Sequence, residues 1–411
     1  METVFEYPKL RYGLEAFPVE HDGQTMVLLR DRIGFCEEPL LVSPIVAELL
    51  MRMDGTHSLR DLQAHFMRRT GQLLFSEKLQ EILAKLNEHL FLENDAFYQR
   101  AAEEAARFLR DPVRRMQHAG KSYSADPEQL MQQLSAFFAA AAGLEETLQT
   151  VLDQRKLMAL VAPHIDLQAG GPCFAAAYKA VMKAASPPTT WVVLGTGHEP
   201  IENFFALTPK DFETPLGLVT HDEQFCQELI RRVARDIRAG EYSHRREHTI
   251  EFQAVFLAHV QPRAKIVPLL CSFSLEDWSA NRDYIDETAR MLRGLAESAE
   301  GRVGFIASVD LAHIGPRYGD PFKPHQGVIA EHLRADRSLL QTVEQCDPQQ
   351  FVTILQRENN ERKICGLAPL YVLAKILEGR AAGKLLQHSH ATVDAEGSFV
   401  TFAGMAFYEK A

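Results

Sequence analysis

The chain has 411 residues, of which 46% are hydrophobic and 24% are charged, as in ordinary folded globular proteins. Its net charge of −11 argues against nucleic-acid binding, which normally requires a basic face. The six cysteines show no close pairing, which indicates reduced thiols and not a disulfide framework. Because we find neither a leader-like segment nor an apolar stretch long enough to cross a bilayer, we expect a cytoplasmic protein with no membrane partner.

The first hundred residues predict a small module of helices beside a small sheet. Ser43-Pro44, Ser58 and Ser76 each stand where a capping residue would start a helix. Extended runs at 25–29 and 40–42 precede these three helices and predict short strands. The combination suggests a winged-helix-like α+β domain. Over residues 43–95, six Lys and Arg stand against eight Asp and Glu, which is the wrong balance for binding DNA.

Beyond a charged, alanine-rich stretch (Ala101–Arg115), which predicts a linking helix, apolar strand-like runs alternate with amphipathic helical patterns. We predict strands at 157–162, 190–195, 265–271, 303–309 and 398–407, and helices at 127–141, 173–184, 222–238, 248–260, 279–298, 324–343 and 366–378. This alternation is typical of an α/β fold with a mostly parallel central sheet flanked by helices. No phosphate-binding glycine motif follows a strand. The predicted domains are residues 1–107, which include the start of the linking helix, and 108–411.

Three of the predicted strands run directly into polar side chains that could bind a metal. These segments are Leu157–His164, Trp191–His198 and Val303–His313. The carboxyl ends of parallel strands meet at one edge of a sheet, where ligands and catalytic groups gather. We therefore expect His164, His198, Asp310 and His313 to belong to one site. A fourth candidate is Cys365, which directly precedes a predicted helix.

These donor types point to a transition metal. Imidazole nitrogen and thiolate sulfur suit iron, copper or zinc far better than magnesium or calcium. A helix amino terminus would also lower the pKa of the Cys365 thiol towards the thiolate that binds metals. The alternative is structural: His164 and His198 could be turn residues satisfied by the backbone, and Cys365 a small buried apolar residue.

Acid–base roles are predicted for three further side chains. Asp310 and His313 could form a carboxylate–imidazole pair in which the carboxylate fixes the tautomer of a general acid or base. His248 begins a predicted amphipathic helix, where the helix dipole disfavours imidazolium, so it could serve as a neutral hydrogen-bond donor or base. In the structural alternative, Asp310 caps a turn, His313 faces solvent, and His248 supports the helix start together with Glu247.

Six short motifs occur in the order seen in the Memo family, called AmmeMemoRadiSam system protein B in bacteria and archaea. They are His118–Tyr123, Ala162–His164, Leu194–His198, Glu247–Glu251, Ser308–His313 and Ile364–Gly366. The resemblance, which covers about residues 115–409, implies a fold like that of class III extradiol dioxygenases, which hold a non-haem iron. Position by position, it implies that His164, His198 and Cys365 are metal ligands. The resemblance further implies that His248, Asp310 and His313 line the same pocket.

Two departures from the family pattern add acidic groups near this pocket. The first histidine is followed by Ile165-Asp166-Leu167, where the family usually has a small residue and an aromatic one. The second motif has His198-Glu199 in place of a double histidine. Metal preference and substrate shape could therefore differ from those of better-known members.

In the amino-terminal module, the pattern from Leu49 through Asp54-Gly55-Thr56 to Phe66 resembles PqqD-like peptide-recognition domains found beside radical SAM chemistry. This implies a radical SAM protein or its peptide substrate as partner; the alternative is a generic packing or dimerisation module. For the whole chain we predict a metal-dependent redox enzyme that works with a radical SAM partner system, with iron favoured over copper or zinc; its small-molecule substrate is unknown. A non-catalytic metal-binding scaffold and a zinc-type hydrolase are the alternatives.

Overall fold

The computed structural model of the protein describes residues 6–141 and 155–410. The chain divides into two compact units, the first ending at Arg110 and the second beginning at Asp111. Within the described residues, no helix combines the length and the apolar character needed to cross a membrane.

The first unit combines a three-stranded antiparallel sheet with four helices. Its elements are β1 (Leu14–His21), β2 (Gln24–Asp31), β3 (Leu40–Val42), α1 (Pro44–Leu50), α2 (Leu59–Thr70), α3 (Ser76–Glu88) and α4 (Asp95–Arg110), with strand order β1-β2-β3. Ser58 starts α2 through a capping box with Asp61, and Gly71, at φ 71°, ends it. The small amino-terminal α+β domain is therefore confirmed, whereas its likeness to winged-helix modules stays a prediction.

A buried ion pair lies inside the first unit. The Nη2 atom of Arg11 lies 2.8 Å from an oxygen of Asp31, and both side chains are completely buried. The guanidinium also lies 5.1 to 5.8 Å from the ring centres of Phe35, Phe91 and Phe97. Because Asp31 ends β2 and the backbone N–H of Arg11 donates to the carbonyl of Phe91 at 3.0 Å, Arg11 links the sheet to the segment around Phe91.

The second unit carries the remaining elements. Its strands are β4 (Val113–Arg114), β5 (Leu157–Ala162), β6 (Thr190–Thr196), β7 (Phe205–Leu207), β8 (Asp211–Thr214), β9 (Gly217–Val219), β10 (Lys265–Cys271), β11 (Val303–Ser308), β12 (His313–Ile314), β13 (Ala381–Thr392) and β14 (Phe399–Glu409). Its α-helices are α5 (Pro127–Ala140), α6 (Leu167–Lys183), α7 (Glu223–Arg232), α8 (His248–Val260), α9 (Leu275–Ser298), α10 (Gln326–Glu344), α11 (Pro348–Arg357) and α12 (Leu367–Leu377). Short 3-10 helices span Glu241–Arg245 and Pro316–Tyr318.

The main sheet confirms the α/β class but is mixed. Its strand order is β12-β14-β5-β11-β6-β10-β7, with β13 paired to β14. Strands β5, β11, β6 and β10 are parallel, whereas β7, β12, β13 and β14 pair antiparallel with their neighbours. Only a short turn separates β13 from β14, and two strands joined in this way can pair only antiparallel.

Apolar helices cover both faces of this sheet. Every residue of β6 is buried, and successive residues pack towards opposite faces. Val192 and Leu194 join the core that includes apolar residues of α9 and α12. Trp191 and Val193 join the core that includes residues of α6 and α8. Packing on both faces holds the central strands in place, and it therefore also positions the residues that directly follow these strands.

Several predicted bounds are wrong. The linking helix does not run over 101–115: it ends at Arg110, because Pro112 cannot continue a helix, and Val113–Arg114 form a strand. Helix α6 begins at Leu167 and not at 173, since Gly170 and Gly171 belong to the helix. A Cβ atom at Gly171 would lie 2.5 Å from the ring of Phe137 in α5, so glycine is required there by close helix packing.

Candidate metal site

The carboxyl ends of three adjacent parallel strands deliver polar side chains to one place. His164, Asp310 and His198 each lie two residues beyond the ends of β5, β11 and β6, which are neighbours in the sheet. Cys365 reaches the same place from the loop before α12, where its Sγ atom lies 3.3 Å from Nε2 of His164. The structure thus brings together residues that are up to 201 positions apart in the chain.

The geometry of His164, His198 and Cys365 fits a transition-metal ion. One donor atom from each lies within 4.8 Å of the others. An ion bound at about 2.0 to 2.3 Å from nitrogen and sulfur requires donors roughly 3 to 4 Å apart, which small side-chain adjustments would achieve. The two imidazole rings stand at 81° with centres 5.1 Å apart, so their in-plane lone pairs can converge.

Backbone contacts fix the orientation of His164. Its Nδ1 atom lies 3.0 Å from the carbonyl oxygen of Ser308, at the end of β11, which leaves Nε2 facing Cys365. Its backbone N–H donates to the carboxylate of Asp310 at 3.0 Å. Burial lowers the pKa of His164 well below its usual value, so the ring is neutral at ordinary pH. A neutral imidazole is the form that binds a metal.

Glu247 holds His198 in a similar way. The carboxylate accepts the backbone N–H of His198 at 3.0 Å, and both of its oxygens lie 3.1 Å from Nδ1 of that ring. Burial lowers the pKa of His198, but hydrogen bonds to Cys365 and Glu247 outweigh burial and raise it to about 11. Since a metal must displace the proton facing Cys365, metal binding should release protons.

A second group of donors, His198, Glu247 and His248, also lies within 4.8 Å. Here the two imidazole rings are nearly parallel, at 16° and with centres 5.1 Å apart. A nitrogen lone pair lies in the plane of its ring, so stacked rings direct their lone pairs side by side and not towards a common point. The geometry therefore favours the set with Cys365 as the metal site.

The predicted pair of Asp310 and His313 is wrong. The Asp310 carboxylate contacts His164, with Oδ2 3.6 Å from Nε2 in addition to the backbone bond, and burial raises its pKa to about 6. His313 belongs to β12, which pairs with β14, and its Nδ1 lies 3.0 Å from the carbonyl of Leu311. Burial lowers the pKa of His313. Strand pairing thus gives the two side chains different neighbours.

The expected lowering of the thiol pKa is also wrong. Burial raises the pKa of Cys365, and the opposing hydrogen bond to His198 does not cancel this effect. The Sγ atom also lies 3.5 Å from the carbonyl oxygen of Asp310, which accepts the N–H of Gly366 at 3.1 Å. The positive charge of a metal ion would favour loss of the thiol proton.

An open cleft of about 530 Å³ gives access to this site. Both His198 and Cys365 line it, and Ile201, Phe204 and Phe273 supply an apolar wall. A small molecule in this cleft would lie directly beside two of the three donors. The cleft combines an apolar wall with a few polar groups, which is the usual character of small-molecule sites.

A buried Arg114–Glu251 ion pair supports α8 beneath the site. Arg114 also donates to the backbone carbonyls of His244 (3.1 Å) and Glu247 (2.8 Å). Glu251 further accepts a hydrogen bond from the hydroxyl of Tyr123 at 2.5 Å. It also accepts the backbone N–H groups of Gln117 and His118. Sequence reasoning missed this support, although Tyr123 and Glu251 stand in the two motifs His118–Tyr123 and Glu247–Glu251.

These features define a class: an α/β protein with a histidine–cysteine site assembled at the carboxyl edge of its sheet. The chain belongs to the Memo family, since the family profile described as "Memo-like protein" matches residues 114–406, more than half of the chain. The motifs that resembled this family lie within the matched segment or close to it. Family membership is thereby confirmed.

Three relatives show how widely the similarity extends. A MEMO1 family protein of Aquifex aeolicus is 29% identical over 98% of this chain and 100% of its own length. One of Thermus thermophilus is 27% identical over 82% of this chain and 94% of its own. One of Methanopyrus kandleri is 28% identical over 70% of this chain and 95% of its own. The 70% of this chain that matches the Methanopyrus relative is close to the length of the second unit. The match to the Aquifex relative covers almost the whole chain and therefore includes both units.

Proposed function

We propose that the chain is a metal-dependent redox enzyme in which His164, His198 and Cys365 hold one transition-metal ion, with iron favoured. The observation that carries this proposal is the convergence of two imidazoles, each bonded through Nδ1, on a cysteine sulfur. Imidazole and thiolate donors suit iron, copper or zinc. An iron ion with open coordination positions would supply electron transfer and a place for oxygen or substrate.

Within this proposal, the surrounding side chains have separate tasks. Asp310 positions His164, because its carboxylate accepts the backbone N–H of that residue. His248 is partly exposed beside His198, and its Nδ1 lies 3.1 Å from Glu247, so Nε2 is the atom left to exchange a proton with substrate. His313 is the second candidate acid or base.

The identity of the metal is the test of this proposal. Protein purified anaerobically without added metal should contain about one iron per chain and show a spectrum that changes reversibly on oxidation and reduction. A zinc ion with no redox change would refute the redox proposal in favour of a zinc-type hydrolase. Iron at far less than one per chain, with no gain on reconstitution, would refute the iron assignment.

The division of tasks predicts a contrast between variants. His313→Ala and His248→Ala should keep the wild-type metal content, because neither side chain belongs to the proposed donor set. Both should slow the re-oxidation of the reduced site by oxygen, and His325→Ala, at an exposed cap of α10, is the control. Loss of metal from the His313 or His248 variant would place that residue among the ligands.

We further propose that the first unit binds a radical SAM protein or its peptide substrate. Its PqqD-like resemblance supports this, and so does its surface. Of 13 large hydrophobic side chains exposed in the described residues, nine belong to the first unit. They are Tyr7, Tyr12, Phe17, Met51, Met67, Leu73, Phe75, Tyr98 and Leu109. Exposed aromatic and methionine side chains are enriched where proteins meet partners.

Removal of residues 1–107 tests this second proposal. The remaining chain should stay folded and bind metal, since the Methanopyrus relative is matched over 95% of its length by 70% of this chain. It should no longer bind the radical SAM partner or its peptide. Aggregation would instead favour a packing role for the first unit. Tight, salt-sensitive binding of the isolated first unit to duplex DNA would refute the peptide proposal.

A further inference from the structure

We infer that Glu247 is a positioning residue for the metal site: its carboxylate fixes the ring of His198 so that Nε2 faces the metal. This inference rests on the proposed function. The carboxylate accepts the backbone N–H of His198 at 3.0 Å and contacts Nδ1 of the same ring at 3.1 Å. One side chain thus sets both the backbone position and the ring orientation of a proposed ligand.

The choice of residue at this helix start points to a task beyond capping. Glu247 caps α8 by accepting the N–H groups of His248 at 2.9 Å and Thr249 at 3.3 Å. Short side chains are the preferred helix caps. Five other helices of the second unit begin at such residues, which are Asp126, Asp166, Asp222, Ser274 and Asp347. Glu247 is longer than these caps, and besides capping its helix it reaches His198, 49 positions earlier; among the five, Asp222 likewise reaches Thr190, 32 positions earlier.

The surroundings of Glu247 keep its carboxylate in place. The side chain is only 7% exposed, and Arg114 donates to its backbone carbonyl at 2.8 Å. Ligating histidines commonly donate their other ring N–H to a carboxylate or a carbonyl, which fixes the tautomer and the ring direction. His164 has such a partner in the carbonyl of Ser308, and Glu247 is the corresponding partner of His198.

Two conservative substitutions separate positioning from capping and from charge. Glu247→Asp keeps a preferred cap and the negative charge, but its side chain is one methylene shorter and cannot reach Nδ1 of His198. Glu247→Gln keeps the length and one oxygen that accepts the Nδ1–H, but loses the charge and one acceptor, since its amide nitrogen cannot accept the backbone N–H of His198. If Glu247 acts only as a helix cap or as a negative charge, the aspartate variant should bind metal better than the glutamine variant. If it positions the ring of His198, the glutamine variant should bind better.

The experiment measures the Zn²⁺ and Co²⁺ dissociation constants of the full-length variants by chelator competition, with thermal unfolding as a check on folding. We expect Glu247→Asp to bind about 10- to 100-fold more weakly than wild type. Glu247→Gln should stay within a few-fold. NMR of the Zn²⁺-loaded protein should show the Nδ1–H of His198 protected from exchange in wild type and glutamine variant, but not in the aspartate variant. Asp347→Ala, which removes the cap of α11, should lower stability without changing metal affinity.

The outcomes distinguish this inference from the proposed function. If the wild-type chain binds metal at one ion per chain and Glu247→Asp binds equally well, the positioning role is refuted and the metal site stands. A folded aspartate variant that binds better than the glutamine variant would also refute it. If the wild-type chain binds neither ion, the proposed function fails and this inference fails with it.

Discussion

The buried ion pair between Arg114 and Glu251 gives the sharpest prediction about stability. Both side chains are almost completely inaccessible to solvent, at 1% and 0% exposed. Arg114→Met would leave the Glu251 carboxylate buried without its positive partner. Removing one member of a buried ion pair costs about 3 to 5 kcal/mol, whereas an exposed pair contributes about 0 to 1 kcal/mol. The matched control is therefore Arg231→Met, since Arg231 pairs with Glu228 and is 66% exposed.

The cost of Arg114→Met should depend on pH in a defined direction. In the wild-type chain, burial raises the pKa of Glu251, but Arg114 and the surrounding hydrogen bonds outweigh burial and hold it below its ordinary value. This contribution to stability is present above the pKa of an unfolded glutamate and is lost as the pH falls through the folded value. In the variant, burial acts without the arginine and should raise the pKa, so protonation at lower pH relieves the penalty. The difference between the two proteins should shrink from pH 8 towards pH 5.

The assay is urea unfolding followed by tryptophan fluorescence. Both tryptophans of the chain, Trp191 and Trp278, are buried in the second unit, so the signal reports on the unit that contains the ion pair. A shift of the midpoint at unchanged slope converts directly into the change in the free energy of unfolding. The predicted role of the ion pair is refuted if Arg114→Met costs no more than Arg231→Met, or if its cost is the same at both ends of the pH range.

Two further substitutions test the site loop and the first unit. A Cβ at Gly366 would lie 2.6 Å from Cβ of Val309, so Gly366→Ala should displace Cys365 and weaken metal binding by about tenfold or more, as measured by chelator competition. Gly294→Ala is the control: a Cβ there would meet nothing within 4 Å, so metal binding should stay unchanged. Arg11→Met should destabilise the first unit by about 3 to 5 kcal/mol and make it more susceptible to proteolysis. Tryptophan fluorescence should stay unchanged. A variant as resistant to protease as the wild-type chain would contradict this prediction.

The sequence predicted the positions of the site residues better than their contacts. Apolar runs before His164, His198 and Asp310 identify strands buried on both faces, and adjacency of β5, β11 and β6 then places the three residues together. The sequence did not predict the partner of Asp310. We predicted a pair with His313, but that residue belongs to β12 and pairs with β14.

Elements without a regular hydrophobic pattern were missed. Strand β13 contains Gln387, His388, Ser389 and His390, and almost all of it is partly buried, so its sequence shows no clear alternation. Its pairing with β14 stabilises it, and a contact with a later strand leaves no local signal. The bond from Glu247 to His198 spans 49 residues and was invisible for the same reason.

We propose above all that Cys365 supplies sulfur to a metal held with His164 and His198. The most direct measurement is the metal content of Cys365→Ala beside wild type and Cys271→Ala, together with X-ray absorption of the bound metal. Cys271 lines the same cleft but lies outside the proposed donor set, which makes it the matched control. We predict one ion per chain with a sulfur neighbour at about 2.3 Å in wild type and Cys271→Ala, and loss of most of the metal from Cys365→Ala. Full metal content in Cys365→Ala, with an unchanged absorption spectrum, would contradict the account.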